Sequence, residues 1–220
     1  MKENKKKYAK IGSAGVLAFA IWTYLIQNVD VQAIGVNGTN VGFATFNGWF
    51  HDLTGVHMAI YHITDWLGLI PIFVCMVLAG VGFIQLVSRK SLFKVDHDIV
   101  LLGIYYVIVI MGYLVFEMIP INYRPILIEG VMEASYPSST TLLVLSVMPT
   151  LVFQVKRRAK KGVIQKGISF FTILFSMFMV IGRLISGVHW FTDIVGSVML
   201  SIGLYNLYKA AVFMYQKEEN

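Results

Sequence analysis

The chain reads as an all-α polytopic membrane protein, with six transmembrane helices and an interfacial amphipathic helix in the first outer loop. Three observations predict this. First, 57% of the 220 residues are apolar and only 14% are charged, with mean hydropathy +0.70; a water-soluble domain carries about a quarter of its residues charged. Second, six apolar stretches approach or reach the roughly 20 residues needed to cross a bilayer. Third, Lys and Arg are segregated between the stretches rather than spread evenly. This composition excludes a soluble globule, a disordered chain and a nucleic-acid binder with a basic face.

The stretches are Ile11–Ile26, Leu67–Val87, Ile99–Ile119, Ser139–Val155, Ile168–Ile185 and Ile194–Met214. The fourth is the shortest and is expected to begin earlier, near Pro137. The first follows a basic start, as a signal peptide would, and Val31-Gln32-Ala33 resembles a cleavage site. The polar break Asn28-Val29-Asp30 favours an uncleaved span. Only the connection from Gln27 to Trp66 is long, so the chain is expected to be one domain over 1–220. Within that connection, Trp49, Leu53, Val56, Ile60 and Ile63 recur at helical spacing, which predicts one helix lying in the interface.

With the N-terminus inside, sixteen of the 18 Lys and Arg residues fall on the cytoplasmic side, including Lys2, Lys156–Lys161 and Lys217. Arg124 and Arg183 alone remain outside. The expected topology is a multi-pass plasma-membrane protein with both termini cytoplasmic. Cys75, the single cysteine, lies inside an apolar run, so no disulfide framework is expected. His97, flanked by Asp96 and Asp98, reads as a polar start to the third span and is assigned no chemistry.

An arginine on the outer side needs a reason. Arg124 lies in Asn122-Tyr123-Arg124-Pro125 after the third span. Arg183 ends the fifth span, His189 follows six residues later, and Asp193 four beyond that. If the sixth span starts near His189, His189 and Asp193 share a helix face. Taken alone, these three residues fit charge neutralisation as well as chemistry. The stretch Ser135-Tyr136-Pro137-Ser138-Ser139-Thr140-Thr141 carries a helix N-terminus signature before the fourth span. Its free backbone N–H groups would face an anion on the same outer side. Two guanidiniums, a helix N-terminus and a histidine backed by a carboxylate together describe a phosphate site containing a nucleophile.

The order of these residues resembles the type 2 phosphatidic acid phosphatase superfamily. Its three motifs are Lys-x6-Arg-Pro, Pro-Ser-Gly-His and Ser-Arg-x5-His-x3-Asp. They are matched here by Arg124-Pro125, by Pro137-Ser138, and by Arg183, His189 and Asp193 at the family spacing. The resemblance implies a six-helix lipid phosphatase in which His189 attacks phosphorus and Asp193 orients the imidazole. It also implies that Arg124, Arg183 and the backbone amides near Ser138, Ser139 and Thr140 hold the phosphoryl oxygens. No cofactor and no metal are expected; the expected partners are a lipid phosphate and the bilayer, with no nucleic acid.

The sequence departs from the family at three positions: Glu117 replaces the lysine, Thr140 the second-motif histidine, and Gly182 the serine before Arg183. The histidine replaced by Thr140 is the family's general acid, and a threonine hydroxyl cannot take that role. A phosphate leaving group needs a proton much less than an alkoxide does, which favours a lipid pyrophosphate, such as an isoprenoid pyrophosphate, over a glycerolipid monoester. Alternatively, Glu117 or one of His51, His57 and His62 supplies the proton, although no spacing ties these histidines to the site. Two functions stay open: a lipid phosphatase acting at the extracytoplasmic face, or a lipid-phosphate-binding, transport or assembly protein on the same frame.

Overall fold

The computed structural model describes residues 2–215; Lys217, counted above as cytoplasmic, lies outside the described residues. It is built from eight α-helices among those residues: α1 (Lys2–Asn28), α2 (Ala44–Thr54), α3 (Met58–Leu67), α4 (Leu69–Arg89), α5 (His97–Met118), α6 (Ser139–Arg158), α7 (Gly162–Ile185) and α8 (Phe191–Tyr215). Six segments are long and apolar enough to cross a membrane, one of them formed by α3 and α4 together. Large apolar side chains such as Phe73, Phe83, Ile108 and Phe170 are exposed around the bundle. That exterior suits hydrocarbon, which imposes no cost on exposed apolar surface.

Where apolar burial does not drive association, helices pack through small residues that let backbones approach. The α1–α8 pair shows this. A Cβ on Gly15 would lie 2.8 Å from Gly203 Cα, and one on Gly12 would lie 2.8 Å from the Leu207 side chain. Nearer the C-terminal end of α1 the same pair holds Tyr136, whose hydroxyl is 2.7 Å from Thr23 Oγ1 and whose ring stacks on Phe19. Its ring also occupies the space a side chain at Gly196 would need, 2.5 Å from that Cβ position. These contacts fix the chain just ahead of α6.

Two boundaries differ from expectation. Helix α6 starts at Ser139 rather than near Pro137, because Ser138 has non-helical backbone angles (φ −57°, ψ 112°); it reaches its length by running on to Arg158. Helix α8 starts at Phe191, so His189 sits in the preceding turn rather than on the helix.

The long connection after α1 also differs from the single expected helix. Its apolar stripe is divided between α2 and α3, and Trp49, Leu53, Val56 and Ile63 remain exposed as an interfacial face requires. The division falls at Gly55, whose φ of +68° suits glycine. Here the loop docks on the α7–α8 turn: His57 N–H donates to the Ser186 carbonyl at 2.9 Å. A Cβ on Gly187 would lie 2.1 Å from the Gly55 carbonyl oxygen.

At the opposite end, Asp98 is buried and receives Arg157 Nε at 3.0 Å and Arg158 at 2.8 and 3.1 Å. Tyr208 Oη donates to the Asp98 carbonyl at 3.2 Å and accepts Gln154 Nε2 at 2.7 Å. The residues first read as a polar start to the third span therefore join α5, α6 and α8.

Candidate active site

The site is assembled from the turn after α7, the first turn of α6, the segment between α5 and α6, and α3. His189 is 3% exposed. Its Nδ1 lies 3.1 Å from the Ser135 carbonyl, which can only accept, so Nδ1 carries the hydrogen. Nε2 is then the lone-pair nitrogen, and it is buried without a hydrogen-bond partner. Burial, followed by the positive charges of Arg124 and Arg183, holds the imidazole well below its ordinary pKa. A neutral imidazole with a free Nε2 lone pair is the nucleophilic form.

Asp193 is fully buried on the other side of the ring, with Oδ2 3.7 Å from His189 Nδ1. The Trp190 N–H donates to Oδ2 at 2.9 Å, and Asn122 Nδ2 donates to Oδ1 at 3.2 Å. The carboxylate is thus fixed behind the imidazole, in position to stabilise positive charge developing on it.

His189 and Arg124 line one cavity of about 180 Å³, together with Glu117, Glu133, Ser135 and Ser139. Arg124 is 8% exposed; its Nε lies 3.0 Å from Glu133 Oε2, and its Nη1 is buried without a hydrogen-bond partner. Arg183 is 1% exposed, with Nη1 3.7 Å from Asp65 Oδ1 and Nε without a hydrogen-bond partner. The two guanidiniums flank Tyr61: their Cζ atoms lie 5.7 Å (Arg124) and 4.9 Å (Arg183) from its ring centroid.

The α6 start contributes unevenly. Ser139 lines the cavity, and its N–H, with that of Thr140, precedes the first intrahelical hydrogen bond. Ser138, expected on the phosphate, is directed inward instead. Its hydroxyl donates to Thr141 Oγ1 at 3.1 Å, its N–H lies 3.4 Å from the Asp193 carbonyl, and its carbonyl accepts Ser197 Oγ at 2.9 Å. Thr140 lines a second, mainly apolar cavity of about 330 Å³ bounded by Leu69, Ile72, Val109, Ile110 and Leu143. Tyr113 and Ser139 line both cavities.

The three histidines of the α2–α3 region stay off the cavity. His51 Nε2 is 3.2 Å from the Gly187 carbonyl, His57 Nε2 is 2.8 Å from the Thr54 carbonyl, and the His62 ring packs against Tyr61. Glu117 does line it. Gly182 also finds its reason: a Cβ there would lie 2.7 Å from Thr64 Cγ2, so the missing side chain lets α3 approach α7. Sequence reasoning missed Tyr61, Asn122 and Ser135. Asn122, two residues before Arg124, had only that proximity as a signal.

The PAP2 superfamily model matches residues 12–217. The chain belongs to this superfamily. Among solved structures, the PAP2 fold is shared with a transmembrane PAP2-type phosphatidylglycerolphosphate phosphatase from Bacillus subtilis. That crystal structure aligns at TM-score 0.64 and 17% identity, covering 96% of this chain and 98% of that one. No curated protein matches the sequence. The superfamily and the six-span frame expected from the sequence are therefore those of the chain.

Proposed function

We propose that the protein is a membrane phosphohydrolase cleaving a lipid phosphate or pyrophosphate at the extracytoplasmic face of the plasma membrane, with both termini in the cytoplasm. The observation that carries this reading is the unpartnered, buried Nε2 of His189 in a cavity shared with Arg124. In the first step Nε2 donates its lone pair to phosphorus, and the bond from phosphorus to the leaving oxygen breaks. The Nδ1 hydrogen stays directed at Ser135, and Asp193 stabilises the positive charge gained by the ring. Arg124, Arg183 and the Ser139 and Thr140 amides hold the equatorial oxygens as charge spreads over them. Water then attacks the phosphohistidine, releasing inorganic phosphate and restoring the neutral ring.

Thr140 argues for an anhydride substrate. Loss of a general acid costs ~10²–10⁴-fold for a poor leaving group, whereas a departing phosphate needs no such proton. The apolar cavity beside the site suits a lipid tail that stays in the bilayer while its headgroup reaches His189. The same threonine favours a second reading, a lipid-phosphate binder that does not turn over. Purified protein incubated with a ³²P-labelled lipid pyrophosphate separates the two. Acid-labile label on the wild type, absent from His189→Ala, supports the hydrolase. Equal lipid binding by both proteins, with no phosphate released by either, supports the binder.

A further inference from the structure

We infer that Tyr61 is a positioning residue for phosphate capture: its ring holds the Arg124 and Arg183 guanidiniums in place while leaving Arg124 Nη1 and Arg183 Nε free for the phosphoryl group. The inference rests on the phosphohydrolase reading and deepens it. Two like charges with fewer than a tenth of their surfaces exposed repel one another and need something to hold them together. Carboxylates do so only at the edge. Glu133 and Asp65 are 37% and 56% exposed, and Asp65 stands 3.7 Å from its arginine. A closer, buried carboxylate would neutralise the cations and occupy the donors that phosphate requires.

An aromatic face avoids that conflict. It attracts a cation through the ring quadrupole within about 6 Å and takes no hydrogen bond from it. Both Cζ atoms lie inside that range, at 4.9 and 5.7 Å from one ring. The N–H groups left over are the unpartnered Nε of Arg183 and Nη1 of Arg124. The ring itself is held firmly. Tyr61 is 9% exposed, packs with Ile128 and Val188, and its N–H donates to the His57 carbonyl at 3.1 Å. Helix α3 reaches this depth because Gly182 presents no Cβ to Thr64. One turn of α3 therefore places against both guanidiniums an aromatic ring that none of the three motifs contains.

The test uses full-length protein in nanodiscs, with orthovanadate as a phosphate-shaped probe and a lipid pyrophosphate as substrate. Wild type is expected to bind vanadate and release phosphate. Tyr61→Phe keeps the ring and should stay within about 2-fold of wild type in both. Tyr61→Leu should weaken vanadate binding and raise KM by about 10–100-fold, with a smaller effect on kcat. Pentafluorophenylalanine at position 61 preserves shape and packing while inverting the quadrupole. It should reproduce the leucine defect in vanadate binding in protein that remains folded, and it decides the matter if the leucine protein does not fold. Wild-type vanadate affinity with pentafluorophenylalanine would overturn the inference, as would an equal loss in Tyr61→Phe. Failure of the wild type itself to bind vanadate or release phosphate would instead overturn the phosphohydrolase reading beneath it.

Discussion

The two ends of the bundle both bury charge, and they do so in opposite ways. At the basic end, buried Asp98 meets Arg157 and Arg158 at 3.1 Å or less, and Gln154 bonds to both Arg158 and Tyr208. At the other end, Arg124, Arg183 and His189 each keep a buried nitrogen without a hydrogen-bond partner. Buried polar groups left unpaired cost stability. The difference teaches that paired buried charge here joins helices, whereas the unpaired buried charge is, in the function proposed above, kept for the phosphoryl group. Removing charge should therefore weaken the fold at one end and the chemistry at the other.

The sharpest test of that contrast is His189→Ala. It should lower phosphate release by at least ~10³-fold while leaving the melting temperature within a few degrees of wild type. Phosphate release from a lipid pyrophosphate in detergent, run beside a thermal melt, checks both halves. Next in size, Arg183→Met should cost about 10²–10³-fold in kcat/KM, as loss of a charge-stabilising donor does. Because it also relieves like-charge repulsion from Arg124, its melting temperature should rise or hold. A fall of many degrees would break the comparison.

Asp98→Asn should do the reverse. It strips the carboxylate from two arginines and should cost about 3 kcal/mol of stability, seen as a lower melting temperature, with kcat/KM per folded molecule unchanged. The pH response sharpens the comparison further at His189. In the folded protein His189 stays neutral to well below the ordinary imidazole pKa, so the acid limb of kcat/KM should lie well under about 6.5. The unfolded chain does take up that proton near 6.5. Stability should therefore fall as pH drops from about 6.5 toward the lower folded value, and His189→Asn should flatten that slope. The smallest effect is expected from Gly182→Ser. It restores the family residue but drives its Cβ to 2.7 Å from Thr64 Cγ2. That should cost about 1–2 kcal/mol and raise KM through displacement of α3, both measurable by melts and steady-state kinetics.

Much of the frame was legible because bilayer thickness and charge segregation act on long stretches that composition reports directly. The α2–α3 break was not legible, because the apolar spacing from Trp49 to Ile63 runs on across Gly55 as though one helix carried it; the left-handed φ at Gly55 and the non-helical angles of His57 interrupt it. In the site, His189, Asp193, Arg124 and Arg183 announced themselves as costly charges in a fixed order on one side. Ser138 misled because the same Pro-Ser pattern serves a helix start whose hydroxyl turns inward to Thr141. Tyr61 left no mark in the sequence. An aromatic residue in an interfacial segment is the ordinary expectation there, and its importance arises only when Gly182 lets two distant segments meet.

The wall that the two cavities share at Tyr113 and Ser139 carries a consequence for how the proposed enzyme senses its substrate. A lipid cleaved with its tail beside that wall never leaves the leaflet, so the relevant concentration is its mole fraction among neighbouring lipids rather than its amount per volume of buffer. Diluting the substrate with inert phospholipid at constant total substrate should slow turnover, while diluting the vesicles in water should leave it unaltered.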